Sequence, residues 1–178
     1  MRRLLLKNLV RGPLTEPSPG AGDAALAELA SRVEAEARRR LGRTLSLREV
    51  DAGSCNGCEL ELHAINNIVY DLERFGLRFV ASPRHADVLL VTGPVTTNMR
   101  EALERTYEAT PHPKWVVAVG DCARDGGVFA GSYACVGGVS KVVPVDLHIA
   151  GCPPSPVELL RGLLALLETV ERDDSPPT

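Results

Sequence analysis

The sequence predicts an α/β domain, an open and mostly parallel sheet with flanking helices, preceded by an N-terminal helical arm. Three observations carry that reading. Short apolar runs of strand length alternate with longer segments of helical periodicity over most of the 178 residues, which is the signature of βαβ units. The run Trp115–Gly120 (WVVAVG) holds no charged side chain, as a strand buried on both faces requires. Glycine, proline and aspartate collect where strands would hand over to helices, at Asp51-Ala52-Gly53-Ser54, Gly120-Asp121 and Gly151-Cys152-Pro153-Pro154.

The elements follow in order. Residues 12–23 (GPLTEPSPGAGD) read as a Pro- and Gly-rich linker. Asp23 is placed to cap a helix from Ala24 to Leu41, in which Leu26, Leu29, Ala30, Val33, Ala37 and Leu41 recur at helical spacing and Gly42 ends the run. Residues 44–50 (TLSLREV) alternate as a strand does and enter the turn at Asp51. A helix is predicted over Glu59–Phe75, stopped by Gly76. Leu77–Val80 and Val88–Thr92 are short apolar strands. Thr97 or Asn98 caps a helix that reaches Thr110 and is closed by Pro111. Val142–Ile149 is an extended segment, although Pro144 lacks an amide and suits a central strand poorly. Pro156 opens a last helix that ends before the charged tail. The divisions are therefore 1–43 (arm, linker and helix, a docking segment), 44–170 (the main domain) and 171–178 (a polar tail).

Composition removes several function classes. A hydrophobic fraction of 44% and a charged fraction of 24% exclude a wholly disordered or fibrous chain. The net charge of −3 argues against a nucleic-acid binder, which carries a basic excess. No apolar run approaches the roughly 20 residues that cross a bilayer. Met1-Arg2-Arg3 starts like a twin-arginine signal, but Asn8, Arg11, Pro13 and Glu16 interrupt the apolar stretch that export needs. The five cysteines are thus expected in a reducing cytosol, as ligands, reactive thiols or packing and not as disulfides. Residues 1–48 hold ten Lys/Arg against five Asp/Glu; the remainder holds ten against eighteen. Two readings of that asymmetry stand. Arg38-Arg39-Arg40 belong to a solvated basic helix, or the arm, with Leu4, Leu5, Leu6, Leu9 and Val10 as its greasy side, meets an anionic membrane surface or an acidic partner.

Four of the five cysteines fall at strand–helix junctions. Cys55 and Cys58 form C-N-G-C after the first strand. Cys122 follows WVVAVG-Asp121, and Cys152 follows the extended segment ending at Gly151. In a parallel sheet such junctions share the carboxyl edge, where open α/β sheets place their ligands. Gly53, Gly57, Gly126, Gly127 and Gly151 let the backbone come close, and Pro153-Pro154 remove the amides after the last thiol. Four thiolates with amide donors suit an iron–sulfur cluster. Structural zinc also takes four cysteines, though usually as two close pairs; here 63 residues separate Cys58 from Cys122 and 29 separate Cys122 from Cys152. A C-N-G-C redox pair and plain buried packing are the other readings.

The segments DAGSCNGCELEL, SPRHADVLLVTGPVT, VAVGDCARDGGVF and IAGCPPSP resemble the small, cluster-bearing subunit of membrane-bound energy-converting nickel–iron hydrogenases of the formate hydrogenlyase type. That subunit is related to the cluster-N2 subunit of respiratory complex I. The resemblance covers roughly residues 44–168. It implies a flavodoxin-like fold and one 4Fe–4S cluster on Cys55, Cys58, Cys122 and Cys152. It implies an electron-transfer subunit, not catalytic alone, that relays electrons between a nickel–iron large subunit and a ferredoxin-like iron–sulfur subunit. The complex would include integral membrane subunits and sit on the cytoplasmic face of the membrane, interconverting protons and hydrogen. Complex I subunits of this kind usually carry two adjacent cysteines at the first position; C-N-G-C followed by Glu59 matches the hydrogenase type. A complex I-like quinone oxidoreductase subunit is the alternative, and a structural zinc or interaction module without redox role is the alternative of another class.

Two further residues attach to the site. Glu59 suits a helix start, where the dipole favours a carboxylate, and the resemblance makes it a polar contact toward the catalytic subunit. Arg84 is either a solvated turn residue or a positive charge beside the reduced cluster. Cys135 lies outside the family pattern and reads as a buried structural cysteine. His63, His85, His112 and His148 suggest no metal set.

Overall fold

The computed structural model describes residues 23–169 apart from Val69. The linker, the leucines of the arm and the polar tail therefore lie outside the described residues.

Helix α1 (Asp23–Leu41) begins at Asp23 itself and runs to the predicted end. Strand β1 (Ser46–Asp51) follows, then α2 (Gly57–Ile65) and β2 (Arg78–Phe79). Strand β3 (Val88–Thr92) is buried along its whole length, then β4 (Val95–Thr96) leads to α3 (Arg100–Ala109). Strand β5 (Trp115–Val119) runs into the short α4 (Asp121–Asp125). The chain closes with β6 (Cys135–Gly137), β7 (Leu147–Ile149) and α5 (Pro156–Thr169).

Five strands form one sheet in the order β2-β1-β3-β5-β7, every neighbouring pair parallel. Counting sheet strands alone this is 2-1-3-4-5, the flavodoxin-like order. Strands β4 and β6 pair antiparallel as a separate ribbon. Alternation along β3 and β5 splits the core between the two faces. Val88, Leu90, Val117 and Val119 pack with Val33 and Ala37 of α1, Leu62 and Ile65 of α2, and Leu159, Leu160, Leu163, Leu166 and Leu167 of α5. Leu89, Val91, Val116 and Ala118 pack on the other face with Leu103 of α3 and Ala123 of α4. Each fully buried leucine is worth about 1.5–3 kcal/mol over an exposed one, so α5 is anchored chiefly by its apolar stripe.

Helix α1 shares that core, and Arg32 pairs with Glu168 of α5 at 3.2 Å. Beyond it, Arg43 forks onto the buried Asp87 carboxylate, which also accepts the Ser46 amide at 2.9 Å. On the outer side of α1, Arg38 pairs with Glu34 and Arg39 with Glu36 within the helix, so these two arginines form a solvated, internally paired face.

Several sequence expectations are corrected. The helix expected over Glu59–Phe75 stops at Ile65, and a separate 3-10 turn covers Leu72–Phe75. The amides of Asn66 and Asn67 close the helix on the His63 and Ala64 carbonyls (3.0 and 3.1 Å), and the Asn67 side-chain oxygen then accepts the Tyr70 amide at 3.1 Å, a local alternative to the helical ladder. Neither Thr97 nor Asn98 caps α3, because Thr97 gives both its amide and its hydroxyl to the Ala134 carbonyl; the helix starts at Arg100 after Met99. Of the segment Val142–Ile149 only Leu147–Ile149 is strand, and it lies at the sheet edge, as the proline had indicated.

Candidate metal centre

The site is built from three loops that leave the carboxyl ends of β1, β5 and β7. After β1, the Asp51 carboxylate accepts the amides of Gly53 (2.7 Å) and Ser54 (2.8 Å), which folds the turn, and Ala52 ties it to Thr92 and Thr96 through its amide and carbonyl. Ser54 Oγ then accepts the Asn56 amide at 3.1 Å. Asn56 adopts the left-handed conformation, φ 69°, which asparagine tolerates better than most residues. The chain thereby enters α2 with Cys55 exposed just ahead of it and Cys58 half-buried in its first turn.

After β5, Gly120 (φ 86°) turns the chain into α4, whose first turn carries the buried Cys122. The Val128 amide donates a hydrogen bond to the Cys122 sulfur. After β7, Gly151 leads to the exposed Cys152. Backbone bonds tie these two loops together: Gly120 N–H to the Ile149 carbonyl at 2.8 Å, Asp121 N–H to the Gly151 carbonyl at 2.9 Å, and Gly151 N–H to Asp121 Oδ1 at 3.4 Å.

The three loops meet. A Cβ on Gly120 would stand 2.7 Å from Cys58 Sγ and 3.2 Å from the Gly151 carbonyl oxygen; one on Gly127 would stand 2.8 Å from Cys122 Sγ. A Cβ on Gly57 would lie 3.5 Å from Cys55 Sγ and 3.9 Å from the Pro153 ring. These are cradles that any larger residue would fill. The electrostatics agree. The Cys58 thiol is pushed up to about 12, first by burial, then by Glu59 and by the other three thiols Cys122, Cys55 and Cys152. Burial also raises Cys122, against the pull of the Val128 amide. Such thiols stay protonated in neutral water unless a cationic centre among them reverses the balance.

Among the described residues, no three His, Cys, Asp or Glu side chains are grouped so as to hold a single metal ion. Four thiols at one sheet edge, with glycine cradles beside two of the sulfurs, are a donor set that fits an iron–sulfur group.

The remaining expected residues fall differently. Glu59 sits in the first turn of α2, 5% exposed, and neither carboxylate oxygen has a hydrogen-bond partner among the described residues. It helps raise the half-buried Glu49 carboxyl, for which burial is the first cause. Arg84 lies in an exposed 3-10 turn three residues before β3 begins. It therefore leads into the amino end of a strand about 16 Å long, whereas the thiols gather at the carboxyl ends, and the structure does not bring it to them. Cys135 is in β6, opposite Thr96 of β4, outside the thiol group. His63, His85 and His112 stand on α2, before β3 and before β5. Two residues were not singled out from sequence: Gly120, whose signal was its place directly before Asp121-Cys122, and His148, whose Nε2 lies 3.1 Å from the Gly120 carbonyl oxygen.

Comparison with known proteins gives concordant relatives. The family described as NADH ubiquinone oxidoreductase, 20 Kd subunit, matches residues 55–166. Formate hydrogenlyase subunit 7 of Escherichia coli is 40% identical over 156 residues, 88% of this chain and 60% of that protein. A probable membrane-bound hydrogenase subunit of Pyrococcus furiosus is 45% identical over 132 residues, covering 74% and 79%. A subunit of the NADH-quinone oxidoreductase of Herpetosiphon aurantiacus is 50% identical over 117 residues, 65% of each chain. Among solved structures, a chain of the membrane-bound sulfane sulfur reductase, an archaeal respiratory membrane complex, superposes with a TM-score of 0.66 at 34% identity, covering 80% of this chain and 77% of that one. The NAD+-reducing NiFe hydrogenase in its H2-reduced state shares the fold, with a TM-score of 0.55 at 20% identity over 75% of this chain and 96% of that one. The chain spans about three-fifths of the formate hydrogenlyase relative's length.

Proposed function

The chain belongs to the NADH ubiquinone oxidoreductase 20 kDa subunit family, and from that premise we propose that it is the electron-relay subunit of a membrane-associated hydrogenase complex. Cys55, Cys58, Cys122 and Cys152 are the residues that would hold one 4Fe–4S cluster. The single observation that carries this reading is the meeting of all four thiols at one sheet edge, with Gly120 and Gly127 leaving room for two of the sulfurs.

Bound there, a cluster supplies one-electron redox chemistry at a potential set by its surroundings. The chain's own part is positioning and tuning. The Val128 amide donates to the Cys122 sulfur, a hydrogen bond of the kind that stabilises added negative charge. The buried Cys122 and half-buried Cys58 keep water from one side, while Cys55 and Cys152 lie at the surface. Leu60, two residues after Cys58, and Val128, whose backbone meets Cys122, are exposed apolar side chains, a surface suited to a partner subunit. That partner is a nickel–iron large subunit, with a ferredoxin-like subunit and integral membrane subunits completing the complex. None of the described helices is long and apolar enough to cross a membrane; in this reading the chain takes a peripheral place on the cytoplasmic face.

The hydrogenase assignment is favoured over a quinone reductase by two features: C-N-G-C followed by Glu59, and the larger share of this chain matched by the two hydrogenase relatives. The large subunit decides between them, since a nickel–iron site needs two pairs of cysteines there. The relay itself is tested by EPR on the anaerobically reduced complex. Cys122→Ser is expected to abolish or alter the reduced-state signal; an unchanged signal would show that Cys122 is not a ligand.

A further inference from the structure

We propose that His148 is a positioning residue of the thiol site: its imidazole holds the Gly120 carbonyl, and with it the backbone cradle that receives the Cys58 sulfur. The inference rests on the cluster reading above and deepens it.

The hydrogen-bond roles are fixed by chemistry. A carbonyl oxygen only accepts, so at 3.1 Å the imidazole Nε2 carries the hydrogen and donates to Gly120. The bond falls where the backbone is least constrained by its own residue type. Glycine has the widest conformational freedom of any residue, and Gly120 must keep φ 86° and ψ 165° for its bare Cα to face Cys58 Sγ. Its N–H is held by the Ile149 carbonyl, and the next amide, Asp121, by the Gly151 carbonyl. The Gly120 carbonyl accepts the Arg124 amide of α4 at 3.3 Å, and His148 is its second donor, the one that ties it to β7.

The strand that carries His148 also explains why a side chain is needed. Strand β7 has three residues, lies at the sheet edge and pairs only with β5, with His148 opposite Ala118. A ladder that short leaves the loops after β5 and β7 joined by few bonds just where Cys122 and Cys152 depart. The imidazole spans from the middle of β7 to the residue after the end of β5, adding a strut between the two loops. Packing alone would be served by any β-branched or aromatic residue at this half-buried position. Only a side chain with a donor at the reach of Nε2 makes the strut.

Two polar substitutions separate the bond from the bulk. Glutamine places its amide N–H near the position of Nε2; asparagine places it near Nδ1, out of reach of Gly120. The assembled complex carrying His148→Gln or His148→Asn is purified anaerobically, assayed for iron and acid-labile sulfide, challenged with an iron chelator and examined by EPR after reduction. The expected result is a native-like spectrum and chelation rate for His148→Gln. For His148→Asn we expect displaced g-values with several-fold faster iron loss, or no cluster retained. Native behaviour in both variants would overturn the proposal, as would equal damage in both, which would assign His148 to packing. Native complex without iron and sulfide in this chain would instead overturn the cluster reading on which the proposal rests.

Discussion

Replacing Gly120 by alanine puts the site geometry under a defined strain. At φ 86° and ψ 165° Gly120 lies in a backbone region essentially confined to glycine, so an alanine there costs about 1–3 kcal/mol. The new methyl would also stand 2.7 Å from Cys58 Sγ and 3.2 Å from the Gly151 carbonyl oxygen. The sulfur is the free end of a one-torsion side chain, so it can swing aside at about 0.5–1.5 kcal/mol. The fold therefore survives while Cys58 leaves its place. Gly131→Ala is the control without crowding: its φ of 82° also disfavours an alanine, but nothing lies within 4 Å of the added Cβ. For a chain of this size about 1–3 kcal/mol lowers the melting temperature by about 2–12 °C. Both variants are expected to show that loss in a thermal melt by circular dichroism. Only Gly120→Ala should lose iron and sulfide in the anaerobic protein. Full native cluster content and an unchanged EPR spectrum in Gly120→Ala would refute the cradle argument, and so would an equal loss of iron in Gly131→Ala.

Other perturbations read the frame around the site. Asp87→Ala leaves the buried Ser46 amide without its acceptor and frees Arg43; the expected cost is about 1–3 kcal/mol, measured as a lower urea midpoint, and an unchanged midpoint would contradict the role assigned to that carboxylate. Glu158 and Ser155 bond reciprocally at the start of α5, with the Ser155 amide 2.7 Å from Glu158 Oε2, which holds the Glu158 carboxyl below its ordinary range. A lowered folded-state value means stability that is present above the ordinary carboxylate range and lost as pH falls through the folded-state value. The stability gap between native protein and Glu158→Ala should therefore close on acidification; a gap independent of pH would refute the cap.

The strength of each sequence signal tracks how local its cause is. Strands β1, β3 and β5 and helix α5 were legible because their apolar spacing is the core itself. Helix α2 was overextended because Leu72 and Phe75 continue its periodicity, while the Asn67 turn that follows it is a side-chain hydrogen bond no periodicity reveals. The β4–β6 ribbon was missed because two- and three-residue strands far apart in the chain pair, Val95 with Gly137 and Thr96 with Cys135, with a register shift. At the site, the four thiols were legible from their place at strand ends. Gly120 and His148 were not, since the first matters through Cys58 in the first turn of α2 and the second through a carbonyl in the turn after β5. Arg84 looked useful by its sequence neighbourhood, and the topology sends it toward the opposite end of β3.

The central claim, that four thiols of this chain hold one iron–sulfur cluster, is tested most directly by metal and acid-labile sulfide analysis of the anaerobically purified protein alongside Cys135→Ser and Cys122→Ser. Iron and sulfide are expected in equal amounts in the native protein, unchanged in Cys135→Ser, and lost or altered in Cys122→Ser. Zinc without acid-labile sulfide would contradict the claim.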